Sequence, residues 1–136
     1  MKRSSKILVA AGLTFAAALQ QARADVVVIV SAESTASITV DEISRIYLGE
    51  SNTMTPVDIA NAPRTRRDFY TKVTGKDNAQ VKAMWAKLVF TGKGSAPKEL
   101  AGGEDVVKAV AADPHVIGYV DRSFVNITVK VIYTVK

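Results

Sequence analysis

PVDIANAPRTRRDFY, residues Pro56–Tyr70, reads as a short strand, a tight polar turn and the start of a helix. The strand is Pro56–Ala60. The helix runs from about Pro63 to Val73, stops near Gly75 and buries Phe69, Tyr70 and Val73. Its first turn holds Thr65 among three arginines, Arg64, Arg66 and Arg67. A strand running into a helix N-terminus aims free backbone N–H groups at one point, and with the helix dipole these make an anion site. Cations at that end oppose the dipole by about 0.3–1 kcal/mol each when exposed. Asp68 offsets part of this, and a bound anion would offset more through charge-assisted hydrogen bonds. The plainer alternative is a solvated helix start whose charges are accommodated by water.

Outward from this stretch the pattern alternates strands with helices. Val26–Val30 (VVVIV) is an unbroken β-branched run, as in a strand buried on both faces. Ser31–Ser37 is a polar loop. Thr39 and Glu42 form a T-x-x-E capping box before a helix with Val40, Ile43, Ile46 and Tyr47 on one face, closed by Gly49. After Gly75, Asp77 or Asn78 caps a longer helix to Phe90, with an apolar stripe of Val81, Met84, Trp85, Leu88 and Val89. Glu99–Gly103 is ambiguous. Glu104–Ala112 is a helix stopped by Pro114, Val116–Val120 a strand, and Ile127–Val135 an alternating, half-buried strand. The order β-α-β-α-α-α-β-β predicts a single three-layer α/β domain, a mainly parallel sheet flanked by helices.

The N-terminus is a separate matter. Lys2, Arg3 and Lys6 precede an apolar run, Ile7–Leu19, and Ala22-Arg23-Ala24 is a small-x-small cleavage site. Residues 1–24 therefore read as a secretory signal peptide, too short for a membrane span, and residues 25–136 as the mature domain. The net charge of +5 mostly belongs to that segment: it holds four of the 18 basic residues and none of the 13 acids, which leaves +1. No basic stripe of the nucleic-acid type remains. The chain has no Cys, which excludes a lipidated cysteine anchor, disulfides and thiolate metal sites. The expected location is the periplasm, without a stable membrane anchor.

No catalytic constellation assembles. His115, the only histidine, has no second His or Cys to hold a metal with it. Gly75-Lys76 and Gly92-Lys93 lack the spacing of a phosphate loop, and no Ser stands in a G-x-S-x-G elbow. The carboxylates are scattered singly. Trp85 and Tyr119 sit at core-pattern positions. Neither an enzyme, a cofactor nor a metal is expected.

From Ile38 onward the chain resembles the phosphate ABC-transporter substrate-binding proteins of the type 2 periplasmic-binding superfamily. The resemblance spans Val26 to about Val125. It rests on ITVDEISRIYLGE (Ile38–Glu50), the strand-turn-helix at Pro56–Tyr70, WAKLVFTGKGSAP (Trp85–Pro97) and VVKAVAADPHVIGYVD (Val106–Asp121). It implies one lobe, the second, of a two-lobe protein. In the phosphate loop that it implies, Thr65 is kept, Asn61 takes the place of an Asp, Pro63 of a Ser and Arg64 of a Gly. Ile59 falls where the family has its Arg.

The expected function is an exported, non-enzymatic solute-binding protein for phosphate or another small oxyanion, associated with phosphate ABC transport. The anion would meet Asn61, Arg64, Thr65 and Arg66, with Ser31 and Ser34 approaching from the first loop. Partners would be the anion and an ABC-transporter permease or a second copy of the chain. The alternative is a ligand-free interaction or sensor module in the periplasm, as a homodimer that re-creates a two-jawed cleft.

Overall fold

The structure is a computed structural model and describes residues 25–136, so the signal peptide assigned to residues 1–24 lies outside the described residues. The β-branched run forms β1 (Val26–Ser31), buried along its whole length. Helix α1 (Val40–Tyr47) starts where Thr39 Oγ1 accepts the Glu42 N–H at 3.2 Å. The Glu42 carboxylate does not complete the expected box; it accepts the Thr53 hydroxyl at 2.9 Å and that of Ser51. Gly49 follows with φ +74, the left-handed conformation that a β-carbon disfavours.

Strand β2 (Thr55–Ile59) leads into α2 (Pro63–Phe69), which widens into one π-helical turn at Tyr70–Thr74. Helix α3 (Asn78–Phe90) carries a full capping box between Asp77 and Gln80. The ambiguous segment resolves into a three-residue strand, β3 (Lys98–Leu100), and the start of α4 (Gly103–Ala112). Strand β4 (Val116–Asp121), a 3-10 turn at Arg122–Phe124 and β5 (Val129–Thr134) complete the chain.

The five strands form one sheet in the order β3-β2-β4-β1-β5. β2 pairs in parallel with β3 and β4, whereas β1 is antiparallel to both β4 and β5. Four strands therefore share one direction and β1 runs against them from the middle of the sheet. The sheet is mixed because β1 enters from the opposite end. An apolar run such as Val26–Val30 suits a buried strand of either direction.

Helices cover both faces, which gives the expected three layers. On one face, α4 lies close over β4 because residue 118 is glycine. A β-carbon there would stand 2.8 Å from Val106, 3.0 Å from Val110 and 3.2 Å from Val57. On the other face, Tyr47, Phe69, Tyr70 and Tyr119 form an aromatic cluster. Phe69 and Tyr119 stack with centroids 3.9 Å apart, and Tyr47 meets Phe69 edge-on at 4.7 Å. The Tyr47 hydroxyl donates to the Val57 carbonyl at 2.9 Å, which ties α1 to the middle of the sheet. Trp85 of α3 donates its indole N–H to the Tyr47 carbonyl at 3.0 Å. The α3 stripe is only partly covered: Val81 and Trp85 are buried, while Val89 is 51% and Phe90 93% exposed.

Gly118→Val should cost about 3 kcal/mol, because β4 and α4 must move apart to admit it. Urea unfolding of the variant against the parent chain measures this; an unchanged midpoint would show that α4 is not seated on β4 at this point.

Candidate functional site

The chemistry gathers where β2 ends and α2 begins. β2 alternates its side chains across the sheet, so Val57 faces α4 and Asp58 faces the aromatic layer. Asp58 is only 2% exposed. Its carboxylate accepts the Tyr70 hydroxyl at 2.6 Å, the Tyr119 hydroxyl, and the Ile59 N–H at 2.9 Å. Arg66 approaches it with Nη2 at 3.6 Å from Oδ2. The same guanidinium holds Glu99 of β3 through Nη1 at 2.8 Å and lies 5.8 Å above the Tyr70 ring centroid. Its Nε is buried and has no hydrogen-bond partner among the described residues.

Burial raises the Tyr70 and Tyr119 hydroxyls well above the usual phenol range, and the Asp58 charge pushes them further. Burial does the same to Tyr47, with the Tyr70 and Asp58 charges adding to it. For Arg66 burial works against the charged form, but Asp58 and Glu99 outweigh it and the guanidinium is held above its ordinary value. The network is thus a carboxylate with two phenol donors and a pinned cation, all on rigid elements.

The residues expected to receive an anion are not brought to one place. Arg64 is exposed on the first turn of α2, and Thr65 beside it is half-buried. Their N–H groups have no intrahelical acceptor; the first such bond runs from the Arg66 N–H to the Ala62 carbonyl at 3.0 Å. Ala62 at the N-cap offers no side-chain acceptor, unlike Thr39 and Asp77 at the starts of α1 and α3; Gly102 at the start of α4 has none either. Asn61 is exposed next to this turn, with its N–H bound to the Ala101 carbonyl at 3.0 Å. Arg66 points the other way, into the Asp58 network.

Ser31 and Ser34 lie at the far end of the sheet. Because β1 is antiparallel to β4, Val30 is level with Ile117 and Val26 with Asp121. β2 is parallel to β4 with Pro56 level with Ile117, so its end at Ile59 lies about four residues, roughly 13 Å, from Ser31 along the strands. Both serines are buried and close their own loop, each hydroxyl accepting an N–H two residues on at 3.2 Å. His115 sits exposed at the turn before β4, where its carbonyl accepts the Thr55 N–H.

Asp58, Tyr70, Glu99 and the Tyr119 hydroxyl are the residues that sequence reading passed over as site members. One signal was present: a carboxylate between Val57 and Ile59 in a strand, where a buried charge demands partners. Beside the network opens a groove of about 800 Å³. Its lining includes Asp58, Arg66 and Glu99 together with Val81, Trp85 and Phe90.

Two outcomes are expected of the network. Asp58→Ala should destabilise the chain by about 3–5 kcal/mol, since it leaves two buried phenols without their acceptor and Arg66 with only one of its two carboxylates; denaturant titration measures it. Alkaline pH should unfold the chain steeply. Raised folded-state values mean that the tyrosines' contribution is complete below the unfolded phenol value of about 10 and is lost above it. Tyr47, Tyr70 and Tyr119 together should remove about 4 kcal/mol per pH unit there. Tyrosinate absorbance and circular dichroism, followed together, should change in one step; Tyr119→Phe should flatten the slope by about a third.

No family model matches the chain, and neither does any curated protein. Solved structures do. A protein from Clostridium perfringens, assigned as a phosphate ABC transporter substrate-binding protein and solved with bound phosphate, superposes with a TM-score of 0.63 at 17% identity over 79% of this chain. An ABC-type phosphate transport receptor from Vibrio cholerae gives 0.60 at 13% identity, and PstS from Borrelia burgdorferi gives 0.56 at 12%, each over 79% of this chain. The match takes up 44%, 45% and 46% of those three proteins, so the chain spans less than half of their length. Identity this low speaks for architecture: the chain is a single α/β domain with the fold of one lobe of phosphate ABC transporter substrate-binding proteins.

Proposed function

We propose that the protein is an exported, non-enzymatic binding domain for phosphate or a related small oxyanion, held at the start of α2. The observation that carries this reading is the fold shared with phosphate-binding proteins, one of them with phosphate bound. The local geometry supports it. The first turn of α2 offers the N–H groups of Arg64 and Thr65 without a side-chain cap, and the same turn carries a hydroxyl at Thr65 and an exposed guanidinium at Arg64. Asn61 contributes from the preceding turn. Arg66 is engaged by Asp58 and Glu99 instead. Ser31 and Ser34 have no part in it.

Export rests on the basic, apolar and small-x-small order of residues 1–24, with Asp25 as the first mature residue. No helix of the described residues is long and apolar enough to cross a membrane. In this reading the domain serves phosphate uptake beside an ABC-transporter permease. A second reading, an interaction module that pairs with another copy, is favoured by the exposure of Val89 and Phe90 on α3.

Thermal unfolding of Asp25–Lys136 in phosphate-free buffer tests the first reading, with sulfate and chloride at matched ionic strength as controls. Phosphate at one hundred times its dissociation constant adds about 2.7 kcal/mol, which raises the midpoint by about 10 °C for a domain of this size. The rise should vanish in Arg64→Ala and Thr65→Ala. No rise, or one that persists in both variants, would remove the oxyanion site, and an equal rise with sulfate would remove its preference for phosphate; a mass that doubles with concentration would then support the second reading.

A further inference from the structure

We propose that the groove beside Arg66 is a separate binding site for a small organic acid, whose carboxylate displaces Glu99 and whose apolar body lies against Trp85, Val89 and Phe90. The proposal stands apart from the oxyanion reading, because Arg64 and Thr65 do not line the groove.

Size and wall come first. About 800 Å³ is the scale of a pocket for a small organic molecule, roughly 300–1,000 Å³. One wall is the α3 stripe, in which Val81 and Trp85 are buried while Val89 is 51% and Phe90 93% exposed. Ala96 and Pro97 face it from the segment before β3. A phenylalanine as exposed as Phe90, at the border of the groove, gains by being covered.

Charge then selects the ligand. Four ionic side chains line the groove: Asp58, Arg66, Lys82 and Glu99. Asp58 is fixed, since two phenols and a backbone N–H hold it from within the domain. Glu99 is not. Its side chain is 53% exposed, it stands on a three-residue edge strand, and its pair with Arg66 is a partly solvated one worth little. With Glu99 turned to solvent, Arg66 and Lys82 outweigh Asp58 and the lining carries one net positive charge. Arg66 itself stays in place, pinned by Asp58 behind and lying over the Tyr70 ring. A guanidinium so held is prepared for a planar carboxylate. Glu99 already shows the contact, with its oxygen 2.8 Å from Nη1. A cationic ligand would face Arg66 and Lys82, and inorganic phosphate would leave the apolar wall uncovered.

Trp85 is the only tryptophan in the chain and stands in the groove wall, so its fluorescence reports occupancy. Cyclohexylacetate titrated into the protein should give a saturable change. Its neutral amide should bind about tenfold more weakly, as loss of a charge-assisted pair implies. Inorganic phosphate should not displace it. Glu99→Gln should tighten binding several-fold, because the competing carboxylate is gone, and Phe90→Ala should weaken it about fivefold through lost apolar contact. Arg66→Gln should abolish binding. That variant also unpairs Asp58, so its circular dichroism is checked first; Glu99→Gln and Phe90→Ala, at exposed side chains, carry the test without it. Four results would overturn the proposal: no saturable change, equal affinity for acid and amide, unchanged or weaker binding in Glu99→Gln, or a fluorescence change that follows protein concentration alone.

Discussion

A carboxylate placed inside a sheet must be answered by donors, and Asp58 is answered from three different elements. β4 supplies the Tyr119 hydroxyl, the turn after α2 supplies that of Tyr70, and α2 itself supplies Arg66. These bonds cannot form unless α2 lies on the sheet in one rotational setting. The same setting stacks Phe69 on Tyr119 and brings Tyr47 against both. A buried polar network of this kind contributes less to total stability than to fixing one arrangement, since every alternative leaves a buried charge or phenol unpaired.

That setting also divides the three arginines of α2. A helix turns 100° per residue, so successive side chains cannot share a direction. Once Arg66 faces inward to Asp58, Arg64 and Arg67 face solvent. The three arginines, whose convergence the bare sequence leaves open, are thus splayed apart. The inward arginine becomes the base of a different surface, the groove between α2, α3 and β3.

The direction of β1 has an equally large effect on function. Read as a line of text, the loop after β1 and the turn after β2 both follow a strand and precede a helix. In a wholly parallel sheet the two would open on the same edge. Because β1 runs against its neighbours, Ser31 and Ser34 lie at the opposite edge from Asn61 and Thr65. A single strand entering from the other end therefore removes two residues from the expected site without altering the α/β class or the layer count.

The sequence by itself determined the class of the fold and most of its elements. The β-branched run at Val26–Val30, the capped amphipathic helices and the glycine after Tyr47 and Leu48 each depend on neighbours within one turn or one strand, and such local preferences are visible in order along the chain. It also marked Arg64 and Thr65 as a helix start; the structure leaves Arg64 exposed and Thr65 half-buried there. Tertiary structure alone decided which way β1 points, that β3 exists, that Val89 and Phe90 overhang uncovered, and that Arg66 belongs to Asp58. Each of these depends on pairings between residues far apart in the chain: Asp58 with Tyr119, Arg66 with Glu99, Val28 with Tyr119. A three-residue edge strand has too little pattern of its own to be read, and a side chain's partner is set by where the elements come to lie.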